Sequence, residues 1–437
     1  MTMVATNTPA STATLLKVAT NDVLVGMFIS ELDRSWSDTP FPLGGFHIKS
    51  ADDILLLQKF CKVVTIDTNK GAEPAARRRS NLTILSSARR AAPAAASLKV
   101  NRDAYPVTHT AKQLIDKTVQ SYDQLVLAMQ ALGQAVRNGD ALDIAGLEQP
   151  SAVLVECLLA NPQVLVWILG TEDEPRTANT YCVRAAIWAA ILARQFGQKQ
   201  ADIELLFLST LLADVGMHLL PERLVNKRGP FRKKEYLAYR KHVDFGLELL
   251  SSHEQLDERL LRVVRAHHER HDGLGFPKGL KGDQIPVLAR FAALAYSFER
   301  LLRSNDRKRR LSPARALAKL YRQRKLKFPE QLVVEFIHVL GTYPVGSVVK
   351  LDNGDVALVL EQNPEERLSP KVAVICDASQ KPLAKPKLLD LATQKDRDSG
   401  RRIKASVNPG ELSLDLSNYR FQFLGKRVAL AGFAFRF

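Results

Sequence analysis

The sequence predicts a mainly α protein, in which a helical bundle follows a small N-terminal α+β domain and precedes a C-terminal β-rich segment. Apolar residues recur with helical spacing from about 108 to 340, and they alternate with polar residues before about residue 70 and after Gly341. A chain of 437 residues, 46% of them apolar, can fill more than one hydrophobic core. We expect an N-terminal domain at 1–70, a linker at 71–104, a helical domain at 105–340 and a β-rich segment at 341–437.

The N-terminal domain combines strand patterns with one short helix. Strands are predicted within VLVGMFISEL, GGFHIKS and KVVTID, and a helix at ADDILLLQKFC. Ser50, followed three residues later by Asp53, is typical of the capping box that begins a helix. Residues 71–104 are rich in Ala, Arg, Pro and Ser and have weak periodicity, which predicts a linker.

The rest of the chain changes from helical to strand patterning at Gly341. The stretches AKQLIDKTVQSYDQLVLAMQALGQAV and AAIWAAILARQFG predict helices of the bundle. Beyond Gly341, YPVGSVVKL and DVALVLEQ predict two strands joined by an Asn-Gly turn, and KVAVICDASQKPL a third. We expect a loop at QKDRDSGRRIK and a last strand at VALAGFAFRF.

Cysteine usage and hydropathy predict a cytoplasmic protein without a membrane span. Four single cysteines with no CxxC pair indicate neither a disulfide framework nor a cysteine zinc site. The first residues, MTMVATNTPASTATLL, lack the basic region of a signal peptide. The longest apolar run, 185–193, falls far short of the roughly 20 residues that a span requires.

The net charge of +16 is informative about binding partners and does not predict the fold. Residues 300–327 contain twelve Lys or Arg and one acidic residue, and a second basic cluster lies at 77–90. Such runs are explained by a solvated helix face or a linker, or else by anion binding. Nucleic acid is a disfavoured partner, because the chain has no RNP aromatics, zinc-finger spacing or clear helix-turn-helix.

The run HHERHDGLGFP at 267–277 is the strongest indication of a functional site. It resembles the HHExxDGxGYP signature of the HD-GYP family, with Phe276 where tyrosine is usual. The resemblance implies an HD-type bundle, paired metal ions and hydrolysis of the bacterial second messenger cyclic di-GMP. The segment at 26–58 also resembles the N-terminal domain of unknown function that often precedes HD-GYP modules.

Several of the metal ligands that the resemblance implies are missing. The segment LLADVGMHLLPERLVNKRGPF resembles LLHDIGKxxIPxxILxKPGxL, so the family's His-Asp pair falls on Ala213 and Asp214, and its lysine on Met217. The family's first histidine falls on Tyr181 and its later aspartate on Tyr296. The resemblance implies that the first metal is held at the positions of Tyr181, Ala213, Asp214 and Tyr296, so it loses three of its four ligands. Neither Ala213 nor Met217 can compensate, because alanine has no donor atom and a thioether is a poor ligand for a hard ion.

The ligand set of the second metal is complete. Its members match Asp214, His242 in RKHVDFGLELL, His267 and His268. Three histidines and a carboxylate suit one divalent ion of the iron or manganese class. We therefore expect one such ion as cofactor, or none, in which case the four side chains form hydrogen bonds in a polar pocket.

The residues that the resemblance implies for substrate binding are better preserved than the metal ligands. Gly273, Gly275 and Pro277 predict a tight loop close to a ligand. We expect Gly275, Phe276 and Pro277 of this loop, with Lys281 beside it, to bind the substrate. SNDRKRRLSPARAL resembles TxDRPYRxALSPxEAL, and the resemblance implies phosphate contacts for Arg307 and Arg310. Arg290 fits a structural hydrogen-bond donor.

The sequence thus favours a degenerate HD-GYP protein that binds cyclic di-GMP, a related nucleotide or a signalling protein partner, with weak or no hydrolysis. The alternative is an active metal-dependent phosphodiesterase that converts cyclic di-GMP to pGpG or GMP, with Glu299 or a tyrosine hydroxyl completing the site. Whether the chain is an enzyme stays open, and no residue receives a catalytic role.

Overall fold

A computed structural model describes residues 15–34, 39, 41, 45–48, 50–72, 99–171, 178–227, 229–253, 256–302, 311–363, 366–393 and 401–408. The chain divides into two compact units, Met1–Ala94 and Ala95–Phe437. The predicted fold class is confirmed: the structure is mainly helical, with a small N-terminal sheet and a five-stranded C-terminal sheet.

The N-terminal unit is an antiparallel sheet with one helix. Its elements are β1 (Leu15–Ala19), β2 (Phe28–Leu32), β3 (Phe46–His47), α1 (Ala51–Phe60) and β4 (Val63–Asp67), with strand order β1-β4-β2-β3. The predicted capping box of α1 is confirmed, because the Asp53 N–H donates to the Ser50 hydroxyl and the Ser50 N–H donates to the Asp53 carboxylate. Met27, Ile29 and Ile66 form the centre of its core.

The second unit begins with helices, as the periodicity predicts. They are α2 (Ala111–Asn138), α3 (Ala145–Ala160), α4 (Pro162–Thr171), α5 (Ala178–Gln195), α6 (Gln200–Leu212), α7 (Glu222–Val225), α8 (Lys233–Arg240), α9 (His242–Ser251), α10 (Glu258–Ala266), α11 (Val287–Leu302), α12 (Pro313–Arg322) and α13 (Glu330–Leu340).

Helix α5 lies at the centre of the bundle and packs against α6, α11 and α13. Its run from Ala185 to Ala193 is buried throughout, so this apolar stretch belongs to a protein core. The alanines in this run let neighbouring helices approach closely, which brings the end of α6 near the middle of α11.

The C-terminal sheet contains β5 (Val348–Leu351), β6 (Val356–Glu361), β7 (Lys371–Cys376), β8 (Pro382–Asp390) and β9 (Ile403–Val407), all antiparallel, in the order β8-β7-β6-β5-β9. The turn between β5 and β6 contains the predicted Asn353-Gly354 pair, and Gly354 has φ +94°. The predicted loop at 394–404 ends earlier than expected, because Ile403 packs against the sheet core and begins β9. The predicted strand VALAGFAFRF lies outside the described residues.

Within the described residues, no single helix has the length and apolar character of a membrane span, although α3 and α4 pass that test together as a pair bent by 111°.

Candidate metal centre and ligand cavity

Four side chains predicted to hold a metal ion lie together in the bundle: Asp214, His242, His267 and His268. One potential ligand atom from each lies within 4.8 Å of all the others. The Asp214 Oδ1 atom is 3.2 Å from the His242 Nε2 atom, 3.4 Å from the His267 Nε2 atom and 4.0 Å from the His268 Nε2 atom. Residues separated by up to 54 positions in the sequence thus converge on one point.

Each of the four residues lies at an end of a helix. Asp214 follows α6 and begins a 3-10 turn at Val215–Leu219, and His242 is the first residue of α9. His267 and His268 come directly after α10 ends at Ala266. Because α10 packs against both α6 and α9, these helix ends meet in space.

Backbone carbonyls determine which ring nitrogens face the centre. The His242 Nδ1 atom lies 2.6 Å from the Tyr239 carbonyl oxygen, and the His267 Nδ1 atom lies 2.6 Å from the Val264 carbonyl oxygen. A carbonyl only accepts, so both Nδ1 atoms carry the proton. When such a ring is neutral, its Nε2 lone pair therefore faces Asp214, as in histidines that bind metals.

The centre fits a divalent cation. The Asp214 Oδ1 and His267 Nε2 atoms are buried and have no hydrogen-bond partner among the described residues. Burial alone raises the pKa of the Asp214 carboxyl, but the imidazoles of His242 and His267 hold it well below its ordinary value. Burial and the neighbouring imidazoles lower the pKa of His268 well below its ordinary value. An ionised carboxylate together with three imidazoles is a ligand set for one ion.

Tyrosine rings occupy the side of the centre where the sequence lacks ligands. Tyr296 is buried and packs with Ala185 and Ala213, and the partly buried Tyr181 packs against this cluster. The two tyrosine ring centroids are 5.4 Å apart, and the Tyr296 centroid is 5.2 Å from that of His267. An apolar and aromatic cluster thus lies directly beside the four polar side chains.

Both phenols are unsuited to hold an ion here. The Tyr181 hydroxyl donates to the Tyr296 carbonyl oxygen at 3.1 Å, and the Tyr296 hydroxyl donates to the Thr210 carbonyl oxygen at 2.7 Å. Burial raises the pKa of both phenols well above the ordinary tyrosine value, and the nearby Asp214 carboxylate adds to this effect. They remain protonated, and a neutral phenol is a weak ligand.

Glu299 takes no part in the site, contrary to the role that the alternative hypothesis gives it. Its carboxylate is fully buried, where Oε1 accepts from the Arg184 Nε atom at 2.9 Å and Oε2 accepts from the Trp188 Nε1 atom at 2.9 Å. Helical spacing alone places Glu299 one turn beyond Tyr296, but its partners on α5 keep it in the bundle core.

The signature loop is organised by a buried carboxylate. Glu269 is 3% exposed, and its two carboxylate oxygens accept from the backbone N–H groups of Lys278 at 2.7 Å and Leu280 at 2.9 Å. Gly275 lies so close to the backbone of Glu269 and Arg270 that a Cβ atom has no room there. These contacts fix the loop that follows the two histidines.

A cavity of about 350 Å³ opens beside the four side chains. One wall is aromatic: Phe231 stacks on Tyr239 with a centroid distance of 5.0 Å, and Phe276 stacks on His268 at 4.5 Å. The guanidinium of Arg240 lies 5.1 Å from the Phe276 ring centroid. Met217, Tyr181 and Tyr296 also line the cavity.

The predicted substrate residues are only partly at this cavity. Gly275 and Phe276 line it, whereas Pro277 and Lys281 are not among its described lining residues, and the Lys281 N–H donates to Gln284. Arg307 and Arg310 lie outside the described residues. Arg290 serves as a structural donor, as predicted, with its Nε atom 2.8 Å from the Ile285 carbonyl oxygen.

Sequence reasoning missed many of the residues that line the cavity, and four of them matter most for a ligand. They are the aromatic residues Phe231 and Tyr239 and the cationic residues Arg300 and Lys327. The only signal for the cations was the basic density of 300–327, which does not tell which of its side chains face a cavity.

Gly216 is required where the segment after Asp214 passes α9. A Cβ atom at this position would overlap the carbonyl oxygen of His242 and the backbone of Gly246. We expect Gly216→Ala to lower the free energy of unfolding by about 1–3 kcal/mol and to weaken metal binding, because Asp214 and His242 would move apart. Chemical denaturation and metal titration measure both effects.

Gly246→Ala is the matched control for this prediction. A Cβ atom on Gly246 would have its nearest neighbours at 3.4 Å, an ordinary packing distance. The control is therefore expected to keep both stability and metal affinity. Equal behaviour of the two variants would contradict the requirement for glycine at 216.

Three family models match the chain. The model of the HD domain covers residues 167–332, and that of a domain of unknown function, DUF3391, covers 15–147. A third, described as a KOW domain associated with HD domain, covers 348–413.

Curated relatives include cyclic dinucleotide phosphodiesterases. A cyclic di-GMP phosphodiesterase of Pseudomonas aeruginosa is 29% identical over 393 residues, 88% of this chain and 92% of the relative. A 3'3'-cGAMP-specific phosphodiesterase of Vibrio cholerae is 30% identical over 36% of this chain and 30% of the relative. The response regulator RpfG of Xanthomonas campestris, a cyclic di-GMP phosphodiesterase, is 33% identical over 36% of this chain and 41% of the relative.

Among solved structures, an HDG"Y"P protein from Bdellovibrio bacteriovorus matches with a TM-score of 0.43 and 17% identity, over 75% of this chain and 99% of that protein.

Proposed function

We infer the function of this chain from the family to which it belongs: it is an HD-domain protein, with DUF3391 before the HD domain and a KOW domain associated with HD domain after it. The function that the site supports best is binding of one divalent cation and a cyclic dinucleotide, cyclic di-GMP first among them, with weak or no hydrolysis. The protein would then pass on a signal through the occupied site.

The single observation that carries this proposal is the contrast between the two sides of the centre. Asp214 and the three histidines offer a complete ligand set for one ion. On the adjoining side, Tyr181 and Tyr296 pack with alanine and use their hydroxyl protons on backbone carbonyls. One ion would fit beside the carboxylate, whereas the tyrosine side offers no ligand for a second among the residues that the structure describes.

This contrast bears directly on hydrolysis of a phosphodiester. A divalent ion bound here would polarise a phosphoryl oxygen and lower the pKa of a bound water. A paired site stabilises both the attacking and the leaving oxygen, and losing one such electrostatic contribution typically slows a reaction about 100- to 1,000-fold. The ligand set of this chain therefore favours binding over turnover.

The cavity supports a nucleotide as the ligand. Phe231, Tyr239 and Phe276 offer aromatic faces on which a nucleobase stacks, a contact worth about 1–3 kcal/mol per base. Cationic side chains line the same cavity and suit the phosphates. A relative of which this chain covers 92% is named a cyclic di-GMP phosphodiesterase.

The alternative function is an active phosphodiesterase that works with one ion. The complete set of Asp214 and three histidines favours it, because one ion suffices to activate a water. Glu299 is excluded from completing such a site by its bonds to Arg184 and Trp188.

The deciding experiment measures metal content by mass spectrometry together with hydrolysis of cyclic di-GMP in added manganese or iron. About one equivalent of metal or fewer, with dinucleotide binding and little turnover, is expected. Two equivalents with rapid turnover would contradict the proposal. One equivalent with rapid turnover would favour the single-ion phosphodiesterase.

Restoring the missing ligands should restore the second ion. In Tyr181→His/Ala213→His/Tyr296→Asp, we expect the metal content to rise towards two equivalents and hydrolysis of cyclic di-GMP to increase about 100- to 1,000-fold. The control is Tyr181→Phe/Tyr296→Phe, which keeps the rings without offering ligands. No gain in metal by the triple variant would mean that features beyond these three positions exclude the ion.

A further inference from the structure

The wall of the cavity includes two cationic side chains that come from distant parts of the sequence. Arg300 lies in the last turn of α11, and Lys327 lies between α12 and α13. Arg300 is exposed and Lys327 is partly exposed, so both are accessible to a ligand from solvent. Neither residue is one of the two arginines, Arg307 and Arg310, for which the family resemblance implies phosphate contacts.

The two cations differ from the other cations of the cavity in their partners. The Lys227 Nζ atom is 2.6 Å from the Glu235 carboxylate, and the Arg270 Nε atom is 3.0 Å from the Asp272 carboxylate. Among the residues that the structure describes, the side chains of Arg300 and Lys327 form neither an ion pair nor a hydrogen bond. Their charge is thus not compensated by a described carboxylate at ion-pair distance.

The cations also act on one another. Burial lowers the pKa of Lys327, and the charges of Arg300 and Arg270 lower it further. These like charges repel one another, and an anion bound between them would offset the repulsion. The site therefore favours a negatively charged ligand.

We infer that Arg300 and Lys327 form an anion-binding subsite of the cavity that takes a phosphate group of a nucleotide ligand. The identity of the ligand, a nucleotide, rests on the proposed function. The affinity of the two cations for a simple phosphate does not depend on it. A planar guanidinium binds two phosphate oxygens at once, and a lysine ammonium adds a compact charge. In this chain, the two cations supply positive charge near a centre with ligands for one ion.

Aromatic and cationic walls facing one cavity define the class of ligand further. The stacked pairs Phe231–Tyr239 and His268–Phe276 suit a planar base, while Arg300 and Lys327 suit its phosphate. The nucleotide would then bind with its base on the aromatic wall and one phosphate on the subsite.

The first test uses inorganic pyrophosphate as the probe and the full chain treated with a chelator, so that no metal contributes. Calorimetry is expected to detect binding by the wild type with a dissociation constant of about a millimolar. In Arg300→Gln/Lys327→Gln, we expect affinity to fall about 10- to 100-fold, because two charge-assisted contacts are lost. Unchanged affinity in this variant, or no binding by the wild type, would overturn the inference.

The matched control is Lys112→Gln/Arg265→Gln, which removes the same net charge from two exposed side chains that do not line the cavity. At about 0.15 M salt, distant surface charges are screened beyond about 8 Å. The control should therefore bind pyrophosphate like the wild type. An equal loss of pyrophosphate affinity in the control would show that only the net charge of the protein matters, and it would overturn the inference.

A second test uses cyclic di-GMP and keeps failure of the inference apart from failure of the proposed function. If the wild type binds the dinucleotide and Arg300→Gln/Lys327→Gln binds it at least about tenfold more weakly with unchanged metal content, the subsite serves the ligand. Equal binding by both overturns the inference and leaves the proposed function intact. Binding of pyrophosphate but not of cyclic di-GMP by the wild type supports the subsite and refutes the proposed function.

Discussion

Glu299→Ala is expected to lower the free energy of unfolding by about 3–5 kcal/mol. Arg184 is 1% exposed, and its Nε atom lies 2.9 Å from the Glu299 carboxylate, which also accepts from the Trp188 indole N–H at 2.9 Å. Removing the carboxylate leaves a buried guanidinium charge and a buried indole N–H without this acceptor, and both cost free energy. Chemical denaturation of the full chain measures the loss.

A double variant without buried charge separates this cause from simple loss of packing. The apolar pair Arg184→Met/Glu299→Leu should recover most of the loss, because no buried charge remains. As a control, Glu258→Ala breaks an exposed ion pair with Arg262 on α10 and should change stability by less than about 0.5 kcal/mol. A loss below about 1 kcal/mol in Glu299→Ala would show that the core tolerates the isolated cation.

A conservative variant at the same position tests the phosphodiesterase that uses Glu299 as part of its site. Because the Glu299 carboxylate is engaged with α5, Glu299→Gln should keep the metal content and dinucleotide affinity of the wild type. A lower metal content in a folded Glu299→Gln protein would show that Glu299 contributes to the metal centre.

Local signals in the sequence predict local structure well in this chain. The Ser50–Asp53 capping box and the Asn353-Gly354 turn each depend on residues a few positions apart, and both are present. The convergence of Asp214 with His242, His267 and His268 could be anticipated only through the resemblance to a family motif. Spacing alone does not bring residues from three helix ends to one point.

Contacts between distant helices could not be anticipated. Arg184 and Glu299 are separated by 115 positions, and helical spacing says only that Glu299 follows Tyr296 by about a turn. Which of the twelve cations in 300–327 face the cavity likewise depends on how α11 and the segment before α13 pack. Charge density predicts an anion partner, and tertiary packing selects the side chains.

Asp214→Ala is expected to weaken divalent metal binding by more than about 100-fold. The Asp214 carboxylate is the only negative charge in the cluster of four side chains, and its Oδ1 atom lies 3.2–4.0 Å from the Nε2 atoms of the three histidines. Loss of a hydrogen-bond partner behind a ligand already costs about 10- to 100-fold in affinity, so loss of the charged ligand costs more. Metal content and titration with manganese measure the change.

Thermal unfolding gives the same prediction a second readout. An ion that binds only the folded chain stabilises it by about 2.7 kcal/mol at a concentration 100 times its dissociation constant. Added manganese should therefore raise the unfolding temperature of the wild type and of Asp244→Ala, a control that removes an exposed carboxylate two residues after His242. Asp214→Ala should show no such rise. A wild type that manganese does not stabilise would mean that these four side chains only hydrogen-bond one another, and the case for a metal centre would fail.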